Sequence, residues 1–138
     1  MLSLLGALWA LPITLIGWLV ALVTWSKPIE RVEVTAVLFR TGPWLSRLMG
    51  DTWAGFCVGD AVFLAPKWVS HSGVRAHELR HKDQVHVFGP TMPLFYAVGW
   101  LVSAYRWERT RVGPLWWEGF YRLNPFEVDA RKAAEGKS

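Results

Sequence analysis

The sequence predicts an α+β chain: an N-terminal transmembrane helix, then a small antiparallel sheet and a histidine-bearing helix packed on two further helices. Three observations carry that expectation. No charged side chain occurs in residues 1–26. Residues 32–39 and 56–64 are β-branched and partly alternating, as strands are. Beyond Pro66 the apolar residues recur at helical spacing, interrupted at Gly89-Pro90 and Gly113-Pro114.

Residues 1–26 read as a membrane anchor and residues 27–138 as the domain it carries. About 25 uncharged residues coiled as a helix reach roughly 37 Å, enough to cross about 30 Å of hydrocarbon. Pro12 kinks such a helix without forbidding it. A cleaved signal peptide would open on basic residues, keep its apolar stretch to about 7–15 residues and end in a small-x-small site. This segment has none of those features. A buried core helix is the other competitor, and the residues left over are too few to cover it on every side.

The net charge of +4 comes almost wholly from residues beyond the anchor. Lys27, Arg31, Arg40 and Arg47 flank its C-terminal end and nothing basic precedes it, so the positive-inside bias places the domain in the cytoplasm. Basic groups beside a bilayer favour anionic head groups, which makes membrane lipids expected partners. The same residues are too dispersed to indicate nucleic acid. Ten tryptophans are many for 138 residues, and tryptophan prefers the membrane–water boundary, so the domain is expected to lie against the bilayer. Cys57 is the one cysteine, which excludes an internal disulfide and fits a reducing compartment. It is expected as a small buried residue.

In chain order, residues 32–39 read as a strand. Trp44, Leu45, Leu48 and Met49 then have helical spacing for one or two turns, closed by Gly50. Residues 56–64 form either one strand bulged at Gly59 or a hairpin turning on Gly59-Asp60. Ser72 can cap a helix running to about Phe88, and Thr91 can cap the next. Residues 91–105 are uncharged but span only about 22 Å as a helix, so that helix is expected to be buried behind the histidine helix. Gly113-Pro114 opens an aromatic loop through Trp116, Trp117, Phe120 and Tyr121. A last helix starts at Asn124-Pro125 and runs to about Glu135.

The run His77-Glu78-Leu79-Arg80-His81 lies on the helix after Ser72. Residues four apart on a helix differ by about 40° in azimuth and 6 Å in height, so His77 and His81 share a face and can serve one metal ion. Glu78 falls beside that face, where a base acting on a metal-bound water belongs. An exposed helix with both histidines in solvent is the plain alternative, and Arg80, Lys82 and Asp83 make the helix polar enough for it. A third ligand must come from elsewhere. Glu127 is the best candidate, because Ala130 and Ala134 follow it at helical spacing and let its helix approach closely. It competes with a local role: Asn124, Pro125 and Glu127 have the spacing of a capping box. Gln84 lies near the His77 face and can orient Glu127 or a water, or be a surface amide. His86 faces away from His77 and His71 sits in a loop. Tyr121 is a candidate oxyanion stabiliser by its nearness to Glu127, against an ordinary core tyrosine.

His-Glu-x-x-His followed by Glu-x-x-Ala at Glu127 and Ala130 resembles the gluzincin metallopeptidases, including the compact minigluzincins. More closely, the chain is similar to a family of uncharacterised short bacterial membrane proteins. Their shared motifs stand here as Leu-Pro-Ile-Thr-Leu-Ile-Gly at residues 11–17, His-Glu-x-x-His-x-x-Gln at 77–84, Gly-Pro at 89–90 and Asn-Pro-Phe-Glu at 124–127. The resemblance implies a minimal zincin-like domain, with zinc held by His77, His81 and Glu127 and Glu78 as general base. It also implies a strand, within residues 56–64, along the rim of a cleft that pairs with an extended peptide. In several membrane gluzincins an Asp directly after Glu-x-x-Ala supports a histidine ligand. Arg131 stands there in this chain, and Asp129 points elsewhere on the helix.

The expected function is zinc-dependent hydrolysis of a peptide bond in a peptide or protein substrate near the membrane surface. Two other classes compete: a non-catalytic metalloprotein in which zinc staples two helices, and a metal-free membrane scaffold with a vestigial site. Glu78 ligates nothing in this scheme, which argues for catalysis over a structural zinc.

Overall fold

The computed structural model, which describes residues 2–50 and 53–135, is a mixed α+β chain. Met1 and residues 136–138, at the outer ends of the two expected segments, lie outside the described residues. Helix α1 (Leu2–Val23) contains an apolar stretch, Leu4–Val23, long enough to cross a membrane, and only 33% of that stretch is buried inside the protein. Its buried residues are Ala7, Ala10, Thr14 and Ala21, and with Gly17 they form one stripe of small side chains at alternating steps of three and four.

That stripe is where the rest of the chain docks, so α1 is part of the fold and not an appended anchor. A Cβ on Gly17 would come within 2.2 Å of the Val58 carbonyl oxygen, and one on Gly6 within 2.8 Å of His86 Cβ. Trp9 packs its indole against Gly89. Thr14 Oγ1 accepts the Asp60 amide at 3.0 Å.

The sheet has four strands: β1 (Lys27–Arg31), β2 (Val37–Arg40), β3 (Gly55–Val58) and β4 (Ala61–Leu64), in the order β1-β2-β4-β3. It is mixed, not antiparallel as expected, because β2 and β4 run parallel. The cause is the long connection after Arg40. It carries the chain through α2 (Pro43–Met49) to the far edge, where β3 runs back and its hairpin partner β4 returns alongside β2. The residues 56–64 are therefore a hairpin turning on Gly59-Asp60. The strand expected over 32–39 is shorter, because residues 33–35 form a bend, held by the Val32 amide on the Ala36 carbonyl at 2.9 Å. β1 is an addition to the expected elements, since Pro28 and three charged residues give it no apolar pattern.

All of β4 is buried, with alternate residues serving opposite faces. Ala61 and Phe63 meet Ala21 of α1 and Leu45 and Met49 of α2, and Phe63 stacks on Phe39 and Phe56. Val62 and Leu64 meet Val74 and Leu79 of α3 (Ser72–Phe88). The cap of α3 is His71, not Ser72: its Nδ1 accepts the Val74 amide at 3.2 Å.

Helix α4 (Met92–Thr110) outruns the expected 15 residues, and Thr91 turns its hydroxyl back to the Phe88 carbonyl without capping the helix. Nor is α4 buried behind α3. Only Met92, Gly99 and Ser103 are buried, while Leu94, Phe95, Val98, Leu101 and Tyr105 face outward. The expected aromatic loop is a π-helical segment (Leu115–Arg122) packed on α4. Helix α5 (Pro125–Glu135) is as expected, with Asn124 Oδ1 accepting the Phe126 amide at 3.1 Å. Helix α3 packs chiefly on α5 and α1, and much less on α4.

Candidate metal centre

Helices α3 and α5 approach closely because Ala76 and Ala130 are small and buried. This closeness lets the Glu127 carboxylate reach the imidazoles of α3. Oε2 of Glu127 lies 3.3 Å from His77 Nε2, and Oε1 lies 3.3 Å from His81 Nε2. The two Nε2 atoms are 3.1 Å apart. Donors bound at about 2.0–2.2 Å around a tetrahedral ion are separated by about 3.3–3.6 Å, so these three side chains already stand near ligand spacing. His77, His81 and Glu127 form a group that can hold a metal ion. The alternative of Glu127 as a capping residue does not hold, because the Asn124 amide goes to the Tyr121 carbonyl instead.

The donor set fits a cation in two further ways. Glu127 Oε2 and Glu78 Oε2 are buried with no hydrogen-bond partner among the described residues. A buried carboxylate oxygen left so is costly unless a positive charge meets it. His81 Nδ1 is 2.9 Å from Gln84 Oε1, an acceptor, which favours a proton on Nδ1 and leaves Nε2, on the Glu127 side, as the nitrogen that can bind a cation.

Gln84 is buried, not a surface amide, and its Nε2 donates to the Phe126 carbonyl at 3.0 Å and to Asp129 Oδ2 at 2.9 Å. Asp129 is also gripped by the Arg80 guanidinium at 2.7 Å, which lowers its pKa. Asp129 thus supports His81 through Gln84, contrary to the expectation that it points elsewhere. The chain has a carboxylate behind its ligand despite Arg131, which donates to the Arg122 carbonyl.

Burial alone would raise the Glu127 pKa, but the His77 and His81 imidazoles beside it outweigh burial and, with no metal bound, hold the carboxyl well below the usual range. Burial likewise opposes protonation of His81, and Glu127 reverses this, so its pKa is raised. Glu78 is different. Burial pushes its pKa up to about 7 against the pull of His81 and His77. Its carboxylate lies beside Gly55 of the edge strand β3, where a Cβ would meet Glu78 Oε1 at 3.1 Å. A carboxyl with a pKa near neutrality thus lies beside the candidate ligands and over one face of β3, an edge strand of the sheet.

Tyr121 is half-exposed at the border of the site, its pKa raised by burial and by the Glu127 charge. Tyr121 and Tyr96 of α4 both interact with Glu127; Tyr96 donates to Oε1, a contact that sequence reasoning misses. A signal for it exists: Tyr96 puts a hydroxyl in the uncharged, apolar first part of α4, before Arg106, where a buried polar group needs a polar partner. His86 does face away from the metal group, and its Nε2 pairs with fully buried Asp60 at 2.5 Å. Cys57 is half-buried, bonded to the Gly59 carbonyl at 3.0 Å, with burial pushing its thiol pKa up.

Comparison with protein-family models, with curated proteins and with solved structures finds no match for this chain.

Proposed function

We propose that the chain is a membrane-embedded zinc metallopeptidase of gluzincin type, acting on a peptide or protein close to the bilayer. The observation that supports this best is the convergence of His77, His81 and Glu127, with Glu78 buried alongside and outside the ligand group. A purely structural metal has no use for that fourth group.

Bound zinc would supply a Lewis acid that polarises a carbonyl and brings a water's pKa to about 7. His77, His81 and Glu127 would hold the ion. Glu78, buried alongside and not among the ligands, would take the proton from the attacking water and return it to the leaving amine. Gln84 fixes the His81 ring, and Tyr96 fixes the Glu127 carboxylate. Tyr121, beside Glu127, would stabilise the oxyanion. The free edge of β3 runs past Glu78 and offers backbone groups to an extended substrate. α1 crosses the membrane with Lys27, Arg31, Arg40 and Arg47 on the cytoplasmic side.

Zinc stoichiometry of the purified full chain tests the site, with His81→Ala as control. A wild-type value near one per chain and a loss in the control are expected; a wild-type value near zero removes the reading. Glu78→Gln then separates catalysis from a structural metal: it should keep zinc and abolish peptide hydrolysis.

A further inference from the structure

Where the chain leaves α1, basic side chains from several elements gather at one end of the sheet. Lys27 of β1 is paired across the strands with Arg40 of β2, and Arg40 with Leu64 at the end of β4. Leu64 leads into Lys67, and α2 with Arg47 begins three residues after Arg40. Arg47 and Lys67 line a cavity of about 500 Å³, together with Ser46 and Pro66. Lys27, Arg40 and Arg47 form no ion pair among the described residues. Glu30, on the same strand as Lys27, is engaged by Arg75 of α3.

The same end carries an apolar face. α2 buries Leu45 and Met49 in the core and turns Trp44 and Leu48 outward, 75% and 74% exposed. Trp25, at the foot of α1, is 80% exposed. α2 cannot drift from that foot: a Cβ on Gly42 would meet the Thr24 carbonyl at 2.1 Å, and the Gly42 amide bonds Ser26 Oγ at 3.2 Å. Outward tryptophan and leucine bordered by cations, fixed where a spanning helix ends, is the chemistry of the membrane–water boundary.

We propose that α2 and the turn after β4 form a docking surface for anionic phospholipid head groups. Lys27, Arg40 and Arg47 take the head-group phosphate, and Trp44 and Leu48 enter the acyl boundary. This rests on α1 crossing the bilayer, and on nothing in the metal chemistry. The surface presses the end of the sheet that includes Gly55, and with it the mouth of the metal group, toward the bilayer.

The test uses the full chain with Cys57 replaced by Ser, reconstituted in bilayers of phosphatidylcholine with or without phosphatidylglycerol. Spin labels go on Leu15→Cys in α1 or on Leu48→Cys in α2. Both labels should be more accessible to oxygen than to a water-soluble nickel chelate. A lipid-facing Leu15 with an aqueous Leu48 overturns the docking surface alone; an aqueous Leu15 overturns the membrane reading beneath it. In detergent, native mass spectrometry should show phosphatidylglycerol retained in preference to phosphatidylcholine. Arg40→Gln/Arg47→Gln should weaken that preference by about 30-fold with zinc content unchanged. An unchanged preference, or one abolished by inorganic phosphate alone, overturns the proposal.

Discussion

Gln84 uses its whole side chain on the site: its oxygen faces His81 Nδ1, and its amide group faces Phe126 and Asp129. Gln84→Leu removes that orientation while keeping the bulk. It should cost about 10–100-fold in zinc affinity, read by competition with a chelating dye. Unchanged affinity would mean that packing alone orients the ring. Glu78 allows a second prediction, in metal-free protein. Its pKa rises from an ordinary 4.5 to about 7, so the folded chain keeps a proton that the unfolded chain has already lost. The contribution is therefore full below pH 4.5 and lost as pH rises to 7. Relative to Glu78→Gln, chelator-treated wild type should lose thermal stability across that window. A flat difference would place Glu78 in solvent. The ligands themselves are legible in the sequence because helical geometry maps spacing onto direction. The roles of Tyr96 and Asp129 are not, because their partners lie 31 and 45 residues away and only the fold brings them together.

Among the elements, α3 and α5 can be read from their breakers and motifs, whereas β1 lacks any periodic signal. The parallel pairing of β2 with β4 depends on which edge β3 occupies, a choice no local pattern encodes. The small-residue stripe on α1 is legible in principle, as steps of three and four through Ala7, Ala10, Thr14, Gly17 and Ala21. Its meaning comes from the hairpin docked on it. Thr14→Val would leave the buried Asp60 amide without its acceptor, at a cost of about 1–3 kcal/mol. Gly17→Ala would drive a methyl into the Val58 carbonyl, which belongs to the backbone and cannot swing aside; about 1–3 kcal/mol is expected. Thermal unfolding in detergent would reveal both losses. Ala substitution at outward-facing Leu15, 53% exposed, should cost far less there and serves as the control.

At the scale of the molecule, the division at residue 26 marks a change in composition and not a joint in the structure. Ala61 and Phe63 of β4 rest on Ala21, while Val85 and Met92 close over Ala10. The Asp60–His86 pair, which ties the hairpin to α3, is sealed beneath Thr14 and Gly6. A chain beginning at Lys27 would open all of these contacts at once. It would expose a strand buried on both faces and leave Asp60 and His86 facing water across the helix that carries the metal ligands. Such a chain should aggregate or bind zinc substoichiometrically, because α3 would lose one of its two main supports. Size-exclusion chromatography with zinc analysis decides the matter. A monomeric, fully zinc-loaded fragment would make α1 a detachable tether; an aggregated or zinc-poor one would make α1 a wall of the site.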